Sequence, residues 1–280
     1  MGANAGTDAV AGASAAVGAA AGSAAAADAT SSASQAVHTG FALVVDRIDY
    51  LIMVPLVYAA LLFLAAGVVW RVVVILRSPP PPYAPRLFPL ARRPGLAALA
   101  ETLAMPQVRR HAPLFWVSLA LYHVAFLSLI LGHLDLFPHI RIMPAGSRHM
   151  LGAGAVGVAV TIPVIYFLLR RLRSPLREIS TPADFLLLLL LLFLFLFGDM
   201  ISWGNSWSPH GFVMTKSDFT KYFDGLARLS FADPRVVLPG SHYHFAVIHV
   251  LLAETLFVVL PFSKIMHTFL SLPVNLLRRR

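Results

Sequence analysis

Eleven histidines and no cysteine make up the soft-ligand inventory of this 280-residue chain. The missing thiols exclude structural disulfides, thiolate-held iron–sulfur clusters, zinc–thiolate sites and covalent c-type haem attachment. Four histidines, His123, His133, His249 and His267, fall inside or at the ends of long apolar runs. Imidazole inside a bilayer is costly enough to make each one a functional candidate. Pairs of histidines on two helices can supply both axial ligands to a haem iron, and a porphyrin edge suits the apolar gap between helices. Two such pairs would hold two b-type haems at different depths. The bland alternative for any single intramembrane histidine is a hydrogen bond to a neighbouring helix.

The spacings bear on this chemistry. On an ideal helix rising about 1.5 Å per residue, His123 and His133 are ~15 Å apart and His249 and His267 ~27 Å apart. The second separation is about five full turns, so His249 and His267 face the same way; His133 lies roughly 80° off His123. The unequal rises cannot match in straight parallel helices, so tilt and Pro261 must absorb the difference. His242 and His244, just before His249, are rival axial ligands. His38, His111, His139, His149 and His210 read as surface or interface residues.

The elements that must position these side chains are membrane helices. The chain is 58% hydrophobic and 12% charged, against about 25% charged for an ordinary soluble domain. A soluble fold of this length could not hide so much apolar surface. Five apolar stretches approach the ~20 residues that cross a bilayer as helix: 50–74, 114–137, 150–169, 185–202 and 244–261. Backbone groups must pair internally in lipid, so the expected fold is all-α, an integral-membrane bundle of five transmembrane helices. Fifteen of the 22 Lys and Arg residues fall after spans one, three and five, and seven on the other side. Positive-inside then puts the N-terminus outside and the C-terminus in the cytoplasm. The net charge of +9 is accounted for by this asymmetry, without nucleic acid as a partner.

Residues 1–40 are rich in Ala, Gly and Ser and read as a disordered tail; residues 41–280 form the membrane domain. No basic residue precedes Arg47, so the tail lacks the positive region of a secretory signal. Ser78 to Pro82 is a stiff proline spacer. The stretch 218–231 reads as a short amphipathic helix on the outer membrane surface.

The residues His123-Val124-Ala125-Phe126-Leu127-Ser128-Leu129-Ile130-Leu131-Gly132-His133 resemble the second span of the gamma subunit of respiratory nitrate reductase, a five-span cytochrome b with an H-x9-H there. His249, Thr255-Leu256-Phe257 and Pro261-Phe262-Ser263 through His267 resemble its fifth span, H-x17-H. The resemblance covers roughly residues 45–280. It implies two haem b groups, one on the inner side held by His123 and His267 and one on the outer side held by His133 and His249. It further implies quinol oxidation near the outer haem, with electrons passing to a cytoplasmic iron–sulfur protein and catalytic subunit at a bacterial inner membrane. PFSKIMH at 261–267 and GLARLSF at 225–231 look at least as much like a sulfur-metabolism branch of the superfamily, whose membrane subunits serve sulfite reductase- or heterodisulfide reductase-linked complexes. Two features depart from the nitrate reductase pattern. Glu254 stands where that subunit is apolar, and Ser147, Arg148 and His149 occupy the region of an expected lysine before span three.

Glu254 follows His249 by five residues, so it lies about 7.5 Å along the helix and 140° past a full turn. Its functional reading is a proton acceptor for quinol oxidation; its bland one is a neutral acid bonded to a neighbouring helix. Arg148 and Arg141 are candidates to pair with outer haem propionates, and Arg109, Arg110 and Lys264 with inner ones. Asp135, Asp184 and Asp199 sit at span ends, where carboxylates ordinarily reach water. Two other function classes compete with electron transfer: a non-haem proton-conducting transporter, and a purely structural anchor for a cytoplasmic enzyme. The transporter lacks the paired broken spans of an inverted repeat.

Overall fold

The computed structural model describes residues 40–79, 92–140, 142–144, 153–208, 214–240 and 242–279. The chain divides at Asp49 into two units; the described residues of the first, 40–49, are helical, and the second begins at Tyr50. The expected tail, apart from Gly40, lies outside the described residues, as do Pro80–Pro82.

Among the described residues, four helices are long and apolar enough to cross a bilayer: α1 (Gly40–Arg77), α3 (Pro113–Leu134), α5 (Pro182–Ser202) and the stretch Tyr243–Phe262 containing α7 (Tyr243–Val259). Between them lie α2 (Pro94–Ala104), α4 (Ala155–Arg171) and α6 (Lys216–Ala227), and α8 (His267–Arg279) follows. The third expected span corresponds to α4. Its 17 described residues give about 25 Å at 1.5 Å per residue, short of a ~30 Å hydrocarbon core. The first helix reaches ten residues further back than the apolar run that begins at Tyr50, because nothing between Gly40 and Asp49 breaks it.

Helix starts follow from local chemistry. Pro113 and Pro182 occupy first-turn positions, where a missing N–H leaves no bond unmade. Thr181 and Asp184 add a reciprocal capping box to α5. Within α1, Pro55 cannot donate to the helical ladder, and the turn Ile52–Leu56 widens to π geometry around it.

The bundle core joins α3, α4, α5 and α7 through Ala125, Val160, Val164, Leu191, Leu194, Phe195 and Leu256. Along it α3 packs on α4, α4 on α5, and α5 on α7. Small residues permit close approach. A Cβ on Gly157 of α4 would overlap the Asp199 carboxylate of α5, which also accepts a hydrogen bond from Thr161 Oγ1 at 3.0 Å. Gly67 of α1 similarly admits Pro261, whose Cγ would lie 2.7 Å from an added Cβ.

A second cluster builds a cap from α6. Tyr222 Oη donates to Met53 O at 2.6 Å, and Met53, Val54, Leu238, Tyr243 and Val247 close around it. Lys216 Nζ reaches Asp135 Oδ2 at 2.7 Å, and the Ile142 and Met143 N–H groups donate to Asp135 Oδ1. The amphipathic helix expected over 218–231 therefore exists, at Lys216–Ala227.

The apolar run from His244 does not continue as one straight helix to His267. α7 gives way to a 3₁₀ turn at Leu260–Phe262, then to extended backbone at Ser263 and a second 3₁₀ turn at Lys264–Met266. Pro261 begins this break, since it lacks the N–H that the ladder requires. The ~27 Å spacing of an unbroken helix therefore does not apply. α8 turns away to pack against α2, and Asn275 Nδ2 donates to Thr102 Oγ1 at 3.0 Å.

Candidate paired-histidine site

Histidine rings face each other in two pairs, one between α3 and the first residue of α8 and one between α3 and α7. His123 faces His267 with ring centroids 6.1 Å apart and planes at 77°. His133 faces His249 with centroids 6.2 Å apart and planes at 17°. The rings of each pair thus stand beyond direct hydrogen-bond contact of one imidazole body on another, but at nearly equal separations.

The outer nitrogen of every ring is fixed. His123 Nδ1 lies 2.7 Å from Leu119 O, His133 Nδ1 2.8 Å from Leu129 O, and His267 Nδ1 2.8 Å from Lys264 O. His249 Nδ1 lies 3.1 Å from Leu194 O, on the neighbouring α5. A carbonyl oxygen only accepts, so each Nδ1 must be the donor. A neutral ring in that tautomer keeps the Nε2 lone pair, which is the arrangement a ligating histidine needs.

These donors fit a haem. A metal–imidazole bond of about 2 Å sets the centroids of two opposed axial rings about 6 Å apart. Among the described residues no cluster of three His, Asp or Glu side chains could hold a bare ion. Two-ligand pairs suit a metal whose other ligands come from a macrocycle.

Gly198 brings α5 against the His133–His249 pair: an added Cβ would sit 3.1 Å from His249 Cε1. That is tighter than ordinary contact, and the ring is also tied to Leu194 O of the same helix. Gly198→Ala is expected to displace His249 and to lower the occupancy or shift the spectrum of a haem at that pair alone. Unaltered difference spectra for both haems in the purified variant would show that the ring has room to move.

Other expected site residues fall in different places. Arg148 and Arg141 lie outside the described residues, as do His38, His149 and His210. His242 packs edge-on against Trp207 at 5.1 Å and His244 lies against Tyr243; it is His249 that faces His133. The Arg109 guanidinium sits over Trp116 and that of Arg170 over Phe115. Glu254 is buried, and both its carboxylate oxygens lack a hydrogen-bond partner. It stands near the cap: burial first, then the neighbouring Tyr243, Glu254 and Tyr58, push the Tyr222 hydroxyl above the usual tyrosine range.

The span-end carboxylates do not all reach water as expected. Asp135 and Asp184 are buried in ion pairs. Asp184 takes Lys264 Nζ on both oxygens, at 2.7 and 2.9 Å, with Arg171 Nη1 at 3.4 Å. The Thr181-x-x-Asp184 capping pattern was readable locally, but nothing in the chain signals its pairing with a lysine 80 residues away.

The family described as Nitrate reductase gamma subunit matches residues 102–280, a stretch containing all four facing histidines. The Respiratory nitrate reductase 1 gamma chain of Escherichia coli (strain K12) is 31% identical over 173 residues, covering 57% of this chain and 73% of that protein.

Proposed function

The chain belongs to the nitrate reductase gamma subunit family, and from that membership we propose that it is a di-haem b membrane subunit passing electrons between the quinone pool and cytoplasmic redox partners. The observation that carries this reading is the two pairs of opposed rings, 6.1 and 6.2 Å apart, each ring with Nδ1 engaged by a backbone carbonyl. In this reading α4 is the third of five spans, and the basic loops after α1 and α4 face the cytoplasm. His123 and His267 then hold the inner haem, and His133 and His249 the outer one. Bound haem supplies one-electron redox chemistry at each pair. The chain's own residues do the rest: the carbonyls of Leu119, Leu129, Leu194 and Lys264 hold the rings in one tautomer. Arg148 is positioned in sequence to neutralise an outer propionate.

Quinol oxidation releases protons as well as electrons, and Glu254 is the proposed acceptor. Its burial without a partner disfavours a permanent charge, so the carboxyl is able to exchange a proton rather than stay locked in an ion pair. Glu254→Gln keeps the shape and removes that proton. It is expected to assemble both haems yet slow quinol-driven reduction by on the order of 10²-fold, with an altered pH profile. Unchanged reduction across pH would make Glu254 a packing residue only.

The chain contains no cysteine for a cluster, so multi-electron reduction falls to partners: a cytoplasmic iron–sulfur protein and a catalytic subunit. The 261–267 and 225–231 sequences favour, as a second reading, service to a sulfur-metabolism complex rather than nitrate reduction. Pyridine haemochrome analysis of protein purified gently from its native membrane tests the proposal. It should give two haems b per chain and a co-purified iron–sulfur protein, whose substrate separates the two readings. Fewer than about one haem per chain would overturn the di-haem assignment.

A further inference from the structure

His267 is the one candidate ligand that does not sit within a continuous transmembrane helix. It is the first residue of α8, immediately after the 3₁₀ turn Lys264–Met266. The extended backbone at Ser263 interrupts helical bonding from α7, so the ring depends on whatever fixes that turn.

Two side-chain devices do so. Ser263 Oγ donates to Leu260 O at 3.0 Å and accepts from Ile265 N–H at 3.2 Å. Lys264 is clamped from the other side by Asp184, through contacts of 2.7 and 2.9 Å to the two carboxylate oxygens. The Lys264 backbone carbonyl is the acceptor of His267 Nδ1–H. A single residue therefore joins the carboxylate of α5 to the imidazole of α8.

Asp184 is well placed to act as the fixed end. Its side chain is 4% exposed. It is held at the start of α5 by the Thr181 N–H and hydroxyl at 3.0 and 3.1 Å, with Arg171 of α4 beside it. The buried carboxylate is held in place by several bonds, and the largely exposed Lys264 reaches it with Nζ at 2.7 and 2.9 Å from its two oxygens, a charge-assisted and geometrically specific contact.

We propose that Asp184, through its ion pair with Lys264, is the positioning residue that sets the ring orientation of His267. The proposal rests on the reading of His123 and His267 as the axial pair of one haem. The orientation of an axial ring and its Nδ1 hydrogen bond both tune the bound metal, so loosening the clamp should be visible at that haem alone.

The test is electron paramagnetic resonance of the ferric haems combined with redox titration, in the full complex, for Asp184→Asn, Lys264→Gln and Arg171→Gln. The low-field resonance of a bis-histidine haem depends on the relative orientation of its axial rings. Asp184→Asn and Lys264→Gln should both shift or broaden the same resonance, that of the haem lost in His267→Ala. Arg171→Gln touches Asp184 but not the 264–266 turn and should leave that line in place. Lys264 is largely exposed, so Lys264→Gln carries the test if Asp184→Asn fails to accumulate.

Three results would overturn the proposal. One is an unmoved resonance with opposite potential shifts in the two variants, the signature of charge acting through space. Another is equal disturbance of both haems, which marks general damage. The third is no change at all. Wild-type protein lacking two haem signals would instead defeat the underlying haem assignment, whatever the variants do.

Discussion

His123→Ala and His267→Ala should each abolish one and the same haem, while His133→Ala and His249→Ala abolish the other. Six-coordinate ligation requires both imidazoles of a pair, so deleting either partner removes the same redox component. The rings of His123 and His267 face each other, as do those of His133 and His249, at centroid separations of 6.1 and 6.2 Å. No rotamer change brings His133 to His267, because His123, which His267 faces, lies about 15 Å from His133 along α3. A redox titration of the visible absorption in each variant reads the result directly. Loss of the same component in His249→Ala and His267→Ala would show that the pairing is wrong. If His249→Ala keeps both haems while His244→Ala loses one, the second ligand is His244, one or two turns earlier on α7.

The second large effect concerns the order of electron flow. If, as proposed, quinol is oxidised near a haem held by His133 and His249, that haem would be the entry point and one held by His123 and His267 would stand between it and the cytoplasmic partner. His249→Ala should therefore cut quinol-driven reduction of the remaining haem by on the order of 10²-fold or more, the scale of losing an essential catalytic group. His267→Ala should leave the remaining haem reducible by quinol but interrupt delivery to the iron–sulfur partner. Stopped-flow reduction by a soluble quinol analogue, followed at the haem and at the partner's cluster, separates the two blocks. Wild-type reduction of the remaining haem in His249→Ala would place quinol at the other end of the bundle.

Much of the scaffold was readable from local pattern. Long apolar runs have few options in a bilayer, so Phe185–Phe197 and Leu114–Phe137 are expected to be helical; the structure starts those helices at Pro182 and Pro113, where proline suits a first turn. The capping box at Thr181 and Asp184 was legible for the same reason: its partners are three residues apart. The third run was harder. Its described helix, Ala155–Arg171, is shorter than the apolar pattern from Met150 implied, and hydropathy alone does not mark where a helix begins.

The sequence by itself determined that imidazoles would stand in an apolar bundle without thiols, and it placed His123 and His133 ten residues apart on one helix, because residue type, hydropathy and helical rise are properties of a local stretch. Only the tertiary structure decided which rings face each other and what surrounds them. The break at Pro261 and Ser263 replaces an ideal ~27 Å rise with a turn whose direction depends on what α8 packs against. The Gly198 approach to His249, the Asp184–Lys264 clamp and the unpartnered carboxyl of Glu254 all arise between helices distant in the chain. Such contacts depend on packing and on the charges that packing buries together, and no periodicity along a single strand of sequence encodes them.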